Sequence, residues 1–125
     1  MSRRRRRRVM DLNEYQKFCE KVAKKDFKTK HEELVCWGLG VAGEAGDLAG
    51  CIKKLVYHYN DQMQGIRENC GDVLWYLAMI CNVMNWNLED IIKENVEKLS
   101  KRYPHGFTYK GAQRDNTRKD WMEEK

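Results

Sequence analysis

Apolar residues along this chain recur at three- and four-residue spacings, the period of helices buried on one face. The spacing predicts a first helix over about residues 11 to 25, with Leu12, Tyr15, Phe18, Cys19 and Val22 on its apolar side. Asp11 stands as its N-cap with Glu14 three residues on, a capping-box arrangement. A second helix is predicted after Thr29, whose box partner is Glu32, and runs to about Tyr59. Its centre carries Gly38, Gly40, Ala42, Gly43, Ala45, Gly46, Ala49 and Gly50. Glycine is expensive inside a helix, so this density points to a backbone or ligand approaching closely, and to a kink.

Asn60, Asp61 and Gly65 mark a short loop. A third helix follows over about 66 to 85, through Val73, Leu74, Leu77, Ala78, Ile80, Cys81 and Met84. Asn87 is the expected N-cap of a fourth, over about 88 to 102, which Pro104 and Gly106 end. Strand-type alternation and internal repeats are not evident. The elements predict an all-α fold, most simply a four-helix bundle, in one domain over residues 11–107. Residues 1–10 read as a disordered Arg-rich extension. Residues 108–125 read as a polar tail, with room for a weak last helix and Trp121 as its one large anchor.

Composition agrees with one core: 125 residues, 42% hydrophobic and 34% charged. Apolar runs are broken well before the roughly 18 residues a membrane span needs. The formal charge of +5 belongs to the terminus. Arg3 to Arg8 is an unbroken arginine run, and removing those six of the 24 basic residues leaves 18 against 19 acidic ones. Such a block repels itself and reads as disordered. It is either a polyanion-binding arm or a solvated extension, and the absence of interleaved aromatic residues favours the second. No apolar segment follows it, so it is not a signal peptide. The five cysteines lack C-x-x-C spacing, and His31, His58 and His105 are not spaced to join them in a zinc site. Cys36, Cys51 and Cys81 read as small buried hydrophobes in a reducing cytoplasm.

Two acidic pairs change the picture. Glu44 and Asp47 stand three residues apart, and Glu68 and Asp72 four apart, so each pair shares one helix face. Both lie in otherwise apolar stretches, where charge is costly unless compensated. If the second and third helices pack antiparallel, four carboxylates face each other and require a cation. Oxygen ligands favour magnesium, and magnesium favours phosphate chemistry. The chemical competitor is a ferritin-like di-metal oxidase, whose sites use Glu-x-x-His. No histidine stands three residues after any of these acids.

The stretches "GLGVAGEAGDLAG", "ENCGDVLWYLA" and "NVEKLSKRYPHGF", between about Leu34 and Phe107, resemble the MazG-like all-α nucleoside triphosphate pyrophosphohydrolases. The resemblance implies magnesium-dependent cleavage, with manganese as a substitute, of a nucleoside triphosphate to a monophosphate and pyrophosphate. Broad hydrolysis of normal nucleotides or housecleaning of aberrant ones would both fit. The family pattern is E-x-x-E followed by E-x-x-D. Glu44 and Asp72 match its ends, and Asp47 is a shorter carboxylate at the second place. The third place holds Asn69, with Glu68 beside it. Either Glu68 reaches in, or the Asn69 side-chain oxygen serves as a neutral ligand.

The resemblance makes Glu44 and Asp72 the catalytic acids and Glu44, Asp47, Glu68 and Asp72 the metal ligands. It places Tyr76 on the nucleotide, with core packing as the other reading; the spacing of Asn95, Lys98 and Arg102 makes one polar stripe of the fourth helix, either for sugar, base and phosphates or as an exposed basic face. Trp37, one heptad before Glu44, is either a base-stacking residue or core. Family members are dimers or tetramers, and the glycine-rich second helix, Trp75, Met79 and Trp86 are the candidates for such packing. Two readings compete with the enzyme: a nucleotide- and magnesium-binding regulatory module, weakened by Asn69, and a polyanion-binding protein acting through the arginine run.

Overall fold

The computed structural model describes residues 10–113. The Arg3 to Arg8 run and Trp121 lie outside them. Among the described residues there are five helices: α1 (Leu12–Lys21), α2 (Lys30–Tyr57), α3 (Met63–Val83), α4 (Leu88–Arg102) and the short α5 (Tyr109–Ala112). No strand occurs among the described residues, so the fold is all-α as the periodicity predicts. No helix among them is long and apolar enough to cross a membrane. The chain divides into two compact units, one ending at Leu88 and one beginning at Glu89.

The caps predicted for α1 and α2 form. The Asp11 side chain accepts from the Glu14 amide at 2.8 Å, and Thr29 Oγ accepts from the Glu32 amide at 3.1 Å. The return half of the second box is displaced: the Glu32 carboxylate accepts from Lys28 rather than from Thr29. α1 stops at Lys21, short of the expected 25. α2 continues through its glycine-rich centre as one helix of 28 residues. α3 begins three residues earlier than expected and ends in a left-handed turn. Asn85 has φ 56°, its amide donates to Asn82 O, and the Trp86 amide reaches back to Cys81 O. That is a Schellman ending, with asparagine taking the place glycine usually fills.

α2 presents Leu34, Trp37, Val41, Glu44, Leu48, Cys51 and Leu55 at alternating three- and four-residue steps, all buried or half-buried. α3 answers with Ile66, Asn69, Val73, Tyr76, Ile80 and Val83 in the same rhythm. The pairing is antiparallel: Gly65 and Asn69 lie beside Cys51, and Tyr76 lies on Gly40. A Cβ at Gly40 would overlap the Tyr76 ring, so only glycine permits this approach. Among the glycines of α2, this one has the tight neighbour that the sequence implies.

The buried apolar side chains are Cys19, Trp37, Ala78, Met79, Cys81 and Leu88. Cys36, expected inside, is exposed, because it sits one residue before the buried Trp37 and so about 100° round the helix. All five cysteines are free thiols. Met79 is 2% exposed, which removes it from the residues available for packing between chains.

A buried amide network ties α1 to the end of α3. Gln16 Nε2 donates to Asn82 Oδ1 at 2.9 Å and to Trp86 O at 2.8 Å. Gln16 Oε1 accepts from the Leu88 amide at 2.8 Å, and Asn82 Nδ2 donates to Gln16 O at 3.1 Å. Leu88 opens α4, so this amide is capped from α1, where the sequence pointed to Asn87 next door. A polar cavity of about 340 Å³ opens beside the network, lined by Asn13, Gln16, Lys17, Asn82 and Asn87. In the second unit, Lys93 and Lys101 pair with Glu89 and Glu97 one turn earlier on α4. Beyond α4, Gly106 takes φ +92°, and Phe107 packs between Tyr103 and Tyr109.

Gln16 is the polar residue whose loss should be felt most. Gln16→Ala leaves the Leu88 amide and the Asn82 carbonyl without partners in a buried place. The expected cost is about 2–4 kcal/mol in urea unfolding. A loss under about 0.5 kcal/mol would mean that water replaces the side chain fully.

Candidate active site

Glu44 occupies a place in the α2 stripe where its neighbours on the same face are Val41 and Leu48. A carboxylate there is half-buried against α3. Its pKa is raised from the ordinary value of 4.5, first by burial, then by Asp72 across the helix pair, then by Asp47 one turn on. These three carboxylates form one electrostatic cluster. Asp47 and Asp72 are the more exposed members, at its rim.

Glu68 does not join them. It is exposed, and its carboxylate accepts from Gln64 on its own helix at 3.2 Å. The inward position is Asn69, whose Nδ2 lies 3.4 Å from Cys51 Sγ on α2. One residue on a helix is a rotation of about 100°, enough to turn position 68 away from α2 when 69 faces it. The four-acid convergence is thereby corrected to three acids and one amide. Among the described residues, no three His, Cys, Asp or Glu side chains are gathered closely enough to hold a metal ion. The donor chemistry nevertheless fits one: hard carboxylate oxygens from two facing helices, carrying more negative charge than the site neutralises.

Tyr15 on α1 is a neighbour that sequence reasoning did not single out as functional. Its pKa is pushed up to about 12, mainly by burial, then by a hydrogen bond with Cys19 and by the charges of Cys19 and Asp72. The same hydrogen bond lowers the Cys19 thiol while burial raises it, so the phenol is the donor and the sulfur the acceptor. The available signal was the place of Tyr15 on the apolar face of α1, which reads as packing.

Trp37 is buried at 4% exposure, and its Nε1 donates to Glu33 at 3.3 Å. Phe27 and Trp75 meet it edge-on at 5.3 and 5.4 Å between ring centres, and Tyr76 lies at 6.1 Å. Its faces are taken by protein, so of the two readings the sequence left open, packing is the one observed. Trp75 also meets Tyr76 edge-on at 5.1 Å, which makes it part of this cluster rather than a free surface. Tyr76 is half-buried between the cluster and Gly40. Asn95, Lys98 and Arg102 lie on α4 at helical spacing in the second unit, and the Arg102 guanidinium sits over the Tyr103 ring at 5.9 Å.

A carboxyl whose folded pKa is raised stabilises the fold while protonated and loses that contribution as pH rises through the folded value. In metal-free buffer, Glu44→Gln should therefore be more stable than the wild type at neutral pH. The difference should close as pH falls below the ordinary glutamate range, about 4.3. Thermal unfolding at several pH values measures it. A variant less stable than wild type at neutral pH would show that the Glu44 charge is already compensated.

Comparison with known proteins adds the family. A 73-residue stretch is 29% identical to "Gene 37 protein" of Mycobacterium phage L5, covering 54% of this chain and 64% of the phage protein. A 106-residue stretch is 26% identical to "Uncharacterized protein YvdC" of Bacillus subtilis (strain 168), covering 77% of this chain and 99% of that one. No solved structure matches. The model of the MazG nucleotide pyrophosphohydrolase domain matches residues 37–107, which run from the aromatic cluster through both acid-bearing helices to the turn after α4. With the all-α fold and the carboxylates of α2 facing Asp72, this match makes the chain a member of the MazG nucleotide pyrophosphohydrolase domain family.

Proposed function

We propose that this protein is a magnesium-dependent nucleoside triphosphate pyrophosphohydrolase, releasing a monophosphate and pyrophosphate and serving in upkeep of the nucleotide pool. The observation that carries the reading is Glu44, a carboxylate set in an apolar stripe opposite Asp72, with its ionisation opposed by burial and by two neighbouring acids. Structural acids on a helix surface do not need such a position. A hydrolytic base benefits from it, since a raised pKa makes the carboxylate a stronger proton acceptor.

Glu44, Asp47 and Asp72 are the residues that would hold magnesium. When bound, the ion would offset charge on the triphosphate and on the departing pyrophosphate. Glu44 accepts the proton of the attacking water as its oxygen bonds to the α-phosphorus and the bond to the bridging oxygen breaks. Tyr15 screens the Asp72 side of the cluster with a neutral phenol. On α4, Lys98 and Arg102 offer a cationic stripe of the kind that binds phosphate oxygens, and Asn95 adds an amide. The five free cysteines suit a reducing, cytoplasmic setting.

A specific observation favours a second reading. Asn69 faces α2 where the family pattern carries an acid, which suits a module that binds nucleotide and magnesium but turns over poorly. One assay separates the two. A panel of nucleoside triphosphates should release pyrophosphate with magnesium and none with EDTA. Glu44→Gln and Asp72→Asn should each lower turnover by about 10²–10⁴-fold with unchanged helix content. No release from any nucleotide by folded protein overturns the enzyme reading, and calorimetric nucleotide binding without release supports the module. Full activity in both variants would place the chemistry on other acids.

A further inference from the structure

Cys51 is a half-buried thiol on the side of α2 that faces α3, one turn beyond Asp47. Two residues of α3 receive its sulfur. A Cβ at Gly65 would stand 3.2 Å from Sγ, so glycine is what leaves the sulfur room there. One turn on, Asn69 Nδ2 donates to the same sulfur at 3.4 Å. Sulfur is a weak acceptor, so this contact matters less for stability than for the direction it gives the amide.

That direction matters because of where Asn69 stands. In the antiparallel register Asn69 lies at Cys51 and Tyr76 lies on Gly40. Glu44 and Asp47 on α2, and Asp72 on α3, fall between those two contacts. Cys51 is therefore on one side of Asn69 and the acids are on the other. A carboxamide presents an acceptor oxygen on one side and two N–H donors on the other. With its nitrogen given to Cys51, Asn69 turns its oxygen to the side of the acids. Without the sulfur the opposite turn would be favoured, because carboxylates attract N–H donors. An amide turned that way would set a donor where a cation has to go.

We infer that Cys51 is a positioning residue for the metal site. By holding the Asn69 nitrogen, with Gly65 making room for the sulfur, it keeps the Asn69 oxygen available as a neutral ligand beside Glu44, Asp47 and Asp72. The inference rests on the reading of those acids as magnesium ligands. A carboxylate at position 69, as in the family pattern, would present oxygen on both sides and need no partner to orient it. The amide has a wrong way round, and Cys51 is what excludes it. Ligands held in one orientation by a hydrogen bond from behind are a general feature of metal sites.

The test is a double-mutant cycle on metal binding by the full chain without nucleotide, read by manganese electron paramagnetic resonance and magnesium calorimetry. Cys51→Ala should weaken binding about 10-fold, with helix content unchanged. In an Asn69→Asp background the same substitution should change affinity by less than about 2-fold, because the two sites are then independent. Gly65→Ala is a second route that leaves α2 untouched. Its Cβ crowds the sulfur, so metal binding should weaken, while the metal-free protein melts no lower than wild type because alanine is the better helix former. Unchanged affinity in Cys51→Ala overturns the positioning role. So does an equal loss in both backgrounds, since a loss indifferent to residue 69 is packing alone, and so does a wild type that binds neither ion. Pyrophosphate release, measured alongside, separates this from the hydrolase reading. A coupled metal site without release removes the enzyme and keeps the positioning role, while release without coupling does the reverse.

Discussion

The first unit depends on how closely α2 and α3 approach, and that approach is set at Gly40. With no side chain there, the Tyr76 ring lies directly against the α2 backbone. Trp37 and Trp75 then meet edge-on one turn away, and Phe27 closes the cluster from the segment before α2. Toward the other end of the pair, Cys51 meets Gly65 and Asn69. Between these two contacts lie Glu44 and Asp72. The acids are held together because apolar and aromatic packing on either side of them leaves the helices nowhere else to go.

That arrangement stores an electrostatic conflict. Burial and the two neighbouring acids oppose ionisation of Glu44, so the packing of the helix pair holds this carboxylate where its charge is least favoured. The Tyr15 phenol, itself held neutral by burial, adds a polar group beside Asp72 without adding charge. Asn69 lowers the negative charge by one relative to the family pattern, which makes the site of this chain milder than a four-acid site would be.

α2 differs in composition between its two sides. The side facing α3 carries Leu, Trp, Val and the catalytic acid candidate. The other side is reduced to Gly and Ala over three turns, with branched residues at the ends. Glycine weakens the isolated helix, so α2 leans on its packing against α3.

The sequence by itself determined the all-α class, the four long helices to within a few residues and the N-terminal caps of α1 and α2, because periodicity and capping are local properties. It also marked Glu44 and Asp47, since two acids in an apolar, glycine-rich stripe are costly unless a cation or a ligand compensates them. Tertiary structure decided what depends on rotation and on distant partners. Glu68 and Asn69 differ by one residue and by about 100°, and only the packing of α3 shows that the amide faces inward. The same one-residue rotation exposes Cys36 and buries Trp37. The cap on Leu88 comes from Gln16, 72 residues away, and the environment of Tyr15 depends on a carboxylate on another helix. Spacing along a chain fixes which residues share a face, while the face that is buried, and what meets it, is fixed by the helices packed against it.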